Sequence, residues 1–512
     1  MSSWGKSHMH KLALFAVLLL FIGCRSPQRD PGTVVFLIES SPANLDPRIG
    51  TDAQSEHIDE LLFDGLVQKD ESFNFKPALA ERWELRDPLT MVFYLRDGVR
   101  FHDGRPMTAR DVVWSIESMR DGTVISPKAA SYASVASVEA TDSHTVTLRL
   151  KQPDAFLLRN LATGAIGIVP EGSGGDFWRH PVGTGPFRFV SQQIDRDVVI
   201  ERNPLSWEVH PKIERVRFAV VPDAITESLE MDKGSGDVAI NSLPMDALPV
   251  LETRPNLKVE DTPGTQIQYL SFNLTDPLLR DVRVRQAISC AIDRNLIIKT
   301  LMRGHAQPAR SLLPPNHWAW TGETERFDYD PSRAARLLDE SGHPAGPNGV
   351  RFHVTMKTSN AEDVRLLATV LQQQLAKVGI VLDIRTFEFA TFYSDITRGA
   401  FQMYSLRWIG GNEQPDIFGY AFSTARFSPK GANRGHYSNP RLDQLLDDAS
   451  TVSDMGRRRA DYVEAQKILA HDLPAINLWY RDTVLVHNRR LTHVRPNASG
   501  SFAFLEAAEL AN

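Results

Sequence analysis

The 512-residue chain has only two cysteines, Cys24 and Cys290, and after residue 22 no apolar run approaches membrane length. Cys24 directly follows an N-terminal leader and is expected to be spent on lipid, so Cys290 stands alone. An internal disulfide and a cysteine-based metal site are both excluded. Cys290 lies in the apolar helical stretch AISCAIDR, where a free thiol packs as a small core residue. The fifteen histidines are scattered rather than clustered, and zinc gains no support from them. The G-x-S-x-G elbow, the G-x-x-x-x-G-K-[ST] loop and the H-E-x-x-H helix are all missing, which removes the motif-borne hydrolases, nucleotide-binding enzymes and zinc proteases. Gly183-Thr184-Gly185 is followed by Pro186 and no Lys-Ser/Thr, so it reads as a rigid turn. His102-Asp103-Gly104 reads as a hairpin tip rather than an acid–base pair. Without a nucleophile motif, a hydrolase built on Asp and His is the weakest of the readings. Charge of one sign is also lacking: 57 Lys and Arg against 63 Asp and Glu give a net charge of −6, no reason to seek nucleic acid or anionic lipid. There is no repeat at a solenoid period and no low-complexity block.

What is present begins with the leader. Lys6 and Lys11 precede the apolar run from Leu12 to Ile22, which ends at Gly23-Cys24. A spanning helix needs about 20 apolar residues, so residues 1–23 are expected to be a secretory signal peptide. Phe21-Ile22-Gly23-Cys24 resembles the bacterial lipobox, with Phe21 where Leu is usual, and implies lipidation of Cys24. Residues 24–32 then form a polar tether with two prolines. Removing residues 1–23 takes away two lysines and no acid, moving the net charge from −6 to −8. What remains suffices for two or three domains.

Strand and helix signals alternate along the chain, so the class is α/β. Thr33 to Glu39 reads as a buried strand. Met91 to Leu95 and Val99 to Phe101, divided by Asp97-Gly98, read as a hairpin. Thr108 and Asp111 make a capping box that opens a helix over ARDVVWSIESM. Asp330, Pro331 and Gly342 have the residue types of a cap, a first turn and a left-handed stop. Residues 361–378 carry Leu366, Leu367, Val370, Leu371, Leu375 and Val378 on one face, then Gly379 and the strand IVLDI. Residues 281–303 read as one long helix. Turn-rich stretches place boundaries near Gly50, Glu171 to Gly175, Thr262 to Gly264, and Leu473-Pro474. Trp408-Ile409-Gly410-Gly411 puts an indole before two glycines, which permits close backbone approach to a ligand.

Taken together, SPANLDP (41–47), LLFDGLV (61–67), PALAERWELRD (77–87), FYLRDGVRFHDGRPMTARDVVWS (93–115), PVGTGPF (181–187) and NPLSW (203–207) form an ordered set. The set continues with SFNL, DVRVRQAISCAIDR (to 294), RWIGGNEQPD (407–416), NRGHYSNPRLDQLL (433–446) and QKILAHDLPAINLWY (466–480). The chain thereby resembles the family 5 solute-binding proteins, which include bacterial dipeptide and oligopeptide receptors. The resemblance implies a two-lobed periplasmic-binding-protein fold, type II, cluster C, with an extra inserted domain. Lobe I would be 33–50, 171–264 and 475–512, the insertion 51–170, and lobe II 265–474. It also implies a monomer without enzymatic activity or cofactor, which closes on a solute and delivers it to the permease of an ABC importer. Closure excludes water and strengthens polar contacts, and the ligand favours the closed state by its differential affinity.

In peptide receptors of this family, an Asp three residues after the motif Trp pairs with the peptide α-ammonium. Here Gly411 occupies that place. A buried ammonium left unpaired would be costly, so either Glu413 or Asp416 substitutes, or the solute is an oligosaccharide, a metal chelate or an opine. A ligand-sensing lipoprotein of the same fold is the alternative from another class. The residues expected at the ligand are Trp408 as a flat wall, Arg407 as a carboxylate fork, Asn412, Tyr404, Tyr269, Ser41, Asn44 and Asn433.

Overall fold

A computed structural model describes residues 31–154, 157–164, 166–410, 413–452 and 454–511. The leader and Cys24 fall outside this set, as do Gly411 and Asn412. Thr33–Ile38 is a strand with every residue buried. Such a run needs cover on both faces of its sheet. Val34, Phe36 and Ile38 join one apolar cluster, and Val35 and Leu37 join another. The strand sits centrally in a seven-stranded sheet, parallel to Arg215–Val220 and Val238–Ile240.

A second, six-stranded sheet runs in the order Ala306–Pro308, Ala475–Arg481, Ile267–Phe272, Met403–Trp408, Phe352–Ser359, Ile380–Phe387. Its last two strands are parallel, with helix Glu362–Ala376 as the crossover between them. A four-stranded antiparallel sheet of Ala80–Asp87, Thr90–Leu95, Thr145–Leu150 and Val135–Ala140 forms the third body. Its core runs from Leu66 to Ile168. Arg48, fully buried, fastens this body to the first lobe. It makes a two-pronged ion pair with Asp46 (2.7 and 2.9 Å) and donates to Ser118 Oγ at 3.2 Å.

The chain passes between the two large sheets twice. Leu257–Thr262 ends in the first and Ile267–Phe272 opens the second. Ala475–Arg481 lies in the second and runs through Asp482 into Thr483–Asn488 of the first. The two passages touch: a Cβ on Gly264 would sit 2.2 Å from the Arg481 carbonyl oxygen, so only glycine fits there.

Several local expectations hold. The capping box at Thr108 and Asp111 is formed, Asp330 caps Pro331–Glu340, and Gly342 and Gly379 have positive φ. Cys290 is fully buried, and burial pushes its thiol up to about 11.

Others are corrected. Met91 to Leu95 pairs with Ala80–Asp87, whereas Val99 and Phe101 bond to Met107 and Arg105 in a separate small turn. Residues 281–303 form two helices, Val282–Ala291 and Arg294–Leu301, because the Asp293 side chain caps the second at Leu296 N–H, 2.9 Å away. Leu366 is half-exposed and off the buried face of its helix. The passage expected near Leu473-Pro474 lies instead at Asp482. Leu473, at φ 42°, is the left-handed stop of helix Met455–Asp472, so its turn signal marks a helix end. Likewise the turn at Gly50 precedes a helix, Ala53–Leu62, whose Ile58, Leu61 and Leu62 pack in the first lobe.

Candidate functional site

A cleft of about 1270 Å³ opens beside the two passages, larger than a typical small-ligand pocket of roughly 300–1,000 Å³. Thr262, Pro263, Thr265 and Gln266 form its floor at the passage itself. The first lobe contributes Glu39, Asn241, residues 495–503 and Glu506, with Gln54, Glu56, His57 and Glu60 from one side of helix Ala53–Leu62. The third body supplies Lys69, Phe73 and Arg159, and the second lobe supplies Ile409, Gly410, Glu413 and Gln414.

Two ion pairs span the cleft from the third body to the second lobe. Lys69 Nζ lies 2.9 Å from Glu413 Oε2, and Arg159 Nη1 lies 2.6 Å from Asp416 Oδ2. Asn316 Nδ2 also donates to the Glu71 carbonyl at 2.7 Å, and the Phe73 ring stacks on His317 at 5.6 Å. Glu413 and Asp416, the acids nearest in sequence to Gly411, are thus already engaged. Burial raises the Asp416 carboxyl above its usual range, and Arg159 partly offsets this.

The opposite wall is acidic. Trp207 Nε1 and Thr184 Oγ1 donate to Asp64 Oδ2 at 2.9 and 2.7 Å, and Ser501 Oγ donates to Glu60 Oε2 at 2.5 Å. Burial, reinforced by Asp64, Glu208 and Glu60, pushes the Glu506 carboxyl up to about 8 against the pull of Lys76. His57 sits 3.8 Å from Glu60 and 4.8 Å from the Phe502 ring. Burial opposes its charge, but Glu60, Glu56 and Glu413 outweigh that and raise its pKa.

The residues named from sequence divide. Trp408, Tyr404, Tyr269 and Asn433 do converge, around a pocket of about 20 Å³ inside the second lobe, with room for about one water. Trp408 stacks on Tyr269 at 5.7 Å, and Tyr404 meets Tyr269 edge-on at 6.0 Å. Asn433 spends its amide on the Phe422, Ser423 and Tyr437 carbonyls, which makes it a loop brace. Arg407 is separated from Trp408 because successive strand residues face opposite sides, and it lies 3.6 Å from Asp363. Ser41 Oγ accepts the Asp195 N–H at 2.7 Å, and Asn44 Oδ1 accepts the Asp46 N–H at 2.9 Å. Both hold turns and neither is among the cleft walls. Asn412 and Gly411 lie outside the described residues, between Gly410 and Glu413, which both line the cleft.

Sequence reasoning missed Gln54, Glu60, Asp64, Glu506, Lys69 and Arg159. Asp64 and Trp207 stand in motifs that carried the resemblance (LLFDGLV and NPLSW), but nothing local marks either as facing a cleft. His102 and the Gly183–Gly185 turn prove to be bonded to each other: Gly183 N–H donates to His102 Nδ1 at 3.1 Å. A Cβ on Gly183 would meet the Leu62 carbonyl oxygen at 2.0 Å. Burial drops this histidine to about 4.

Two lobes joined by paired passages, with a cleft between them and an added third body, define a clamp-type binding protein. The chain belongs to the bacterial extracellular solute-binding proteins, family 5, whose description matches residues 74–429. It is 28% identical to di/tripeptide-binding protein 1 of Pseudomonas aeruginosa, over 91% of this chain and 92% of that protein. It is also 28% identical to heme-binding protein A of Haemophilus influenzae, over 87% of this chain and 86% of that one. The ABC transporter-associated periplasmic binding protein DppA of Helicobacter pylori, solved with the peptide STSA, superposes with a TM-score of 0.74. There the identity is 26%, over 94% of this chain and 98% of that one. The fold is the type II periplasmic-binding-protein fold of cluster C.

Proposed function

We propose that this protein captures a peptide or related small solute in the cleft and delivers it to the permease of an ABC importer, without transforming it. The observation that carries this reading is the 1270 Å³ cleft, whose walls come from both lobes and meet at the two passages. Closing such a cleft is a rotation about residues 262–266 and 481–483. In this reading the protein is a monomer, held at the membrane by lipid on Cys24, with residues 1–23 removed.

Trp408, Tyr404 and Tyr269 serve by supporting the loop that brings Gly410 to the cleft. Gly411 favours a second reading, a solute without a free α-ammonium, and the heme-binding relative shows the family context accommodates a non-peptide ligand. The test is a thermal-shift screen of residues 25–512 against free peptides, N-acetylated peptides, oligosaccharides and metal chelates. A ligand that binds the folded state raises the melting midpoint. Stabilisation by free peptides alone supports the peptide reading. A response to sugars or chelates only supports the second, and no response to any of them overturns both.

A further inference from the structure

The second lobe is joined to the rest of the chain only through the two passages, whereas Arg48 fastens the third body to the first lobe. Any contact between the third body and the second lobe must therefore break when the clamp opens. One hairpin of the third body carries a tight group of them. Its strands are Val67–Lys69 and Phe75–Pro77. Val67 roots it in the third-body core, and Lys69, Asp70, Glu71 and Phe73 line the cleft. Lys69 meets Glu413, the Glu71 carbonyl accepts from Asn316, and the Phe73 ring lies on His317 with an interplanar angle of 20°.

Phe73 is 5% exposed, yet its φ is 64°, a left-handed conformation that bulky residues rarely adopt. The turn around it enforces that shape. Asp70 Oδ1 accepts the Ser72 and Asn74 N–H groups at 2.8 and 2.9 Å, and Phe73 N–H donates to the Asp70 carbonyl at 3.0 Å. The receiving surface is equally fixed. His317 follows Pro314-Pro315, donates its N–H to the Pro314 carbonyl at 3.0 Å, and accepts the Ala319 N–H on Nδ1 at 3.0 Å. His317 is 3% exposed, and burial drops it to about 4, so at neutral pH it offers an uncharged aromatic face. A strained backbone persists only where its surroundings over-determine it, and such residues cluster at clamps and switches.

We propose that the hairpin of residues 67–77 is a gate for the cleft, with Phe73 as its bolt and the His317 ring as its seat. Seated, the bolt bars the side of the cleft between the third body and the second lobe. Lifting it exposes an apolar ring to water, which opposes opening. Lifting also frees the Phe73 backbone to leave the left-handed region, which favours opening. The bolt differs in kind from the ion pairs beside it, because salt screens those and leaves an apolar stack in place. That a solute must pass this gate rests on the reading of the cleft as a solute site; the bolt itself does not.

The test needs no solute. Paramagnetic labels are placed on Glu139→Cys in the third body and Lys377→Cys in the second lobe, both exposed positions. Pulsed electron resonance of the mature chain then gives the distance distribution between them, and Cys290, fully buried, takes no label. Phe73→Ala is expected to lower the ratio of narrow to wide clamp by about two- to tenfold, the worth of one stacked aromatic contact. His317→Ala should do the same from the other side, and the double variant should move the ratio no further than either alone. Phe73→Tyr, which keeps the stack, should stay near wild type. The effect should persist at about 1 M salt, where the ion pairs are screened. An unchanged distribution in Phe73→Ala overturns the bolt, as do alanine effects that simply add or an effect that vanishes in salt. Each of these leaves solute binding standing. If Phe73→Ala does not fold, His317→Ala decides by the same ratio.

Discussion

Lys69 and Glu413 meet at 2.9 Å across the cleft, joining the third body to the second lobe. Arg159 and Asp416 repeat the link at 2.6 Å. Both pairs can form only when the cleft is narrow, so they bias the clamp toward closure. Partly exposed ion pairs contribute about 0.2–1 kcal/mol each. Lys69→Met combined with Arg159→Met is expected to lower solute affinity by about three- to tenfold. Small-angle scattering of the unliganded variant should show a larger radius of gyration, and an unchanged radius would refute the latch.

Glu506 predicts a pH dependence. Its folded pKa is raised to about 8, from an ordinary 4.5. The folded state therefore holds a proton that the unfolded chain releases, and stability falls as pH rises between those values. The groups facing it are Asp64, Glu208, Glu60 and Lys76. Glu227, raised to about 7, and Asp482, raised to about 6, act in the same direction. The unliganded protein should melt lower at pH 8.5 than at pH 6. Glu506→Gln should remove part of that slope, on the order of 1–3 kcal/mol.

Trp408 braces the loop without lining the cleft itself. Trp408→Ala removes the stack on Tyr269 and should weaken solute binding at least tenfold. Trp408→Phe, which keeps an aromatic face, should retain most of the affinity. Equal affinities across wild type and both variants would remove Trp408 from any role in binding.

Arg48 is fully buried and paired with an equally buried Asp46. Removing one partner of such a pair strands the other charge, at a cost of about 3–5 kcal/mol. Arg48→Met is expected to show that loss in urea unfolding, read by tryptophan fluorescence.

Much of the local structure could be read from sequence because its causes are local. Asp330 before Pro331, and Thr108 three residues before Asp111, satisfy helix ends within a single turn. The errors arose where a local signal had two meanings. Leu473-Pro474 is a turn, but whether it ends a helix or changes lobes depends on where Ala475–Arg481 finds partners. The site was less legible still. Trp408 and Arg407 are neighbours in sequence and face opposite sides of one strand. Glu208 and Glu506 are far in sequence from Glu60 and Asp64 and come to act on one another only through the fold. No spacing rule connects Glu506 to Asp64.

Thr483–Asn488 lies between Leu257–Thr262 and Val238–Ile240 in the first sheet. It is synthesised more than 220 residues after either neighbour. Until it arrives, those two strands have open edges facing a missing member. Domains tend to fold as the chain emerges, N-terminal parts first. Here the third body and much of the second lobe can form early, whereas the first sheet must wait for almost the last segment. A nascent or threading chain therefore stays partly unfolded until its end is released. That delay suits a protein whose family works outside the cytoplasm, since a chain still lacking this strand remains pliable enough to be passed through a membrane.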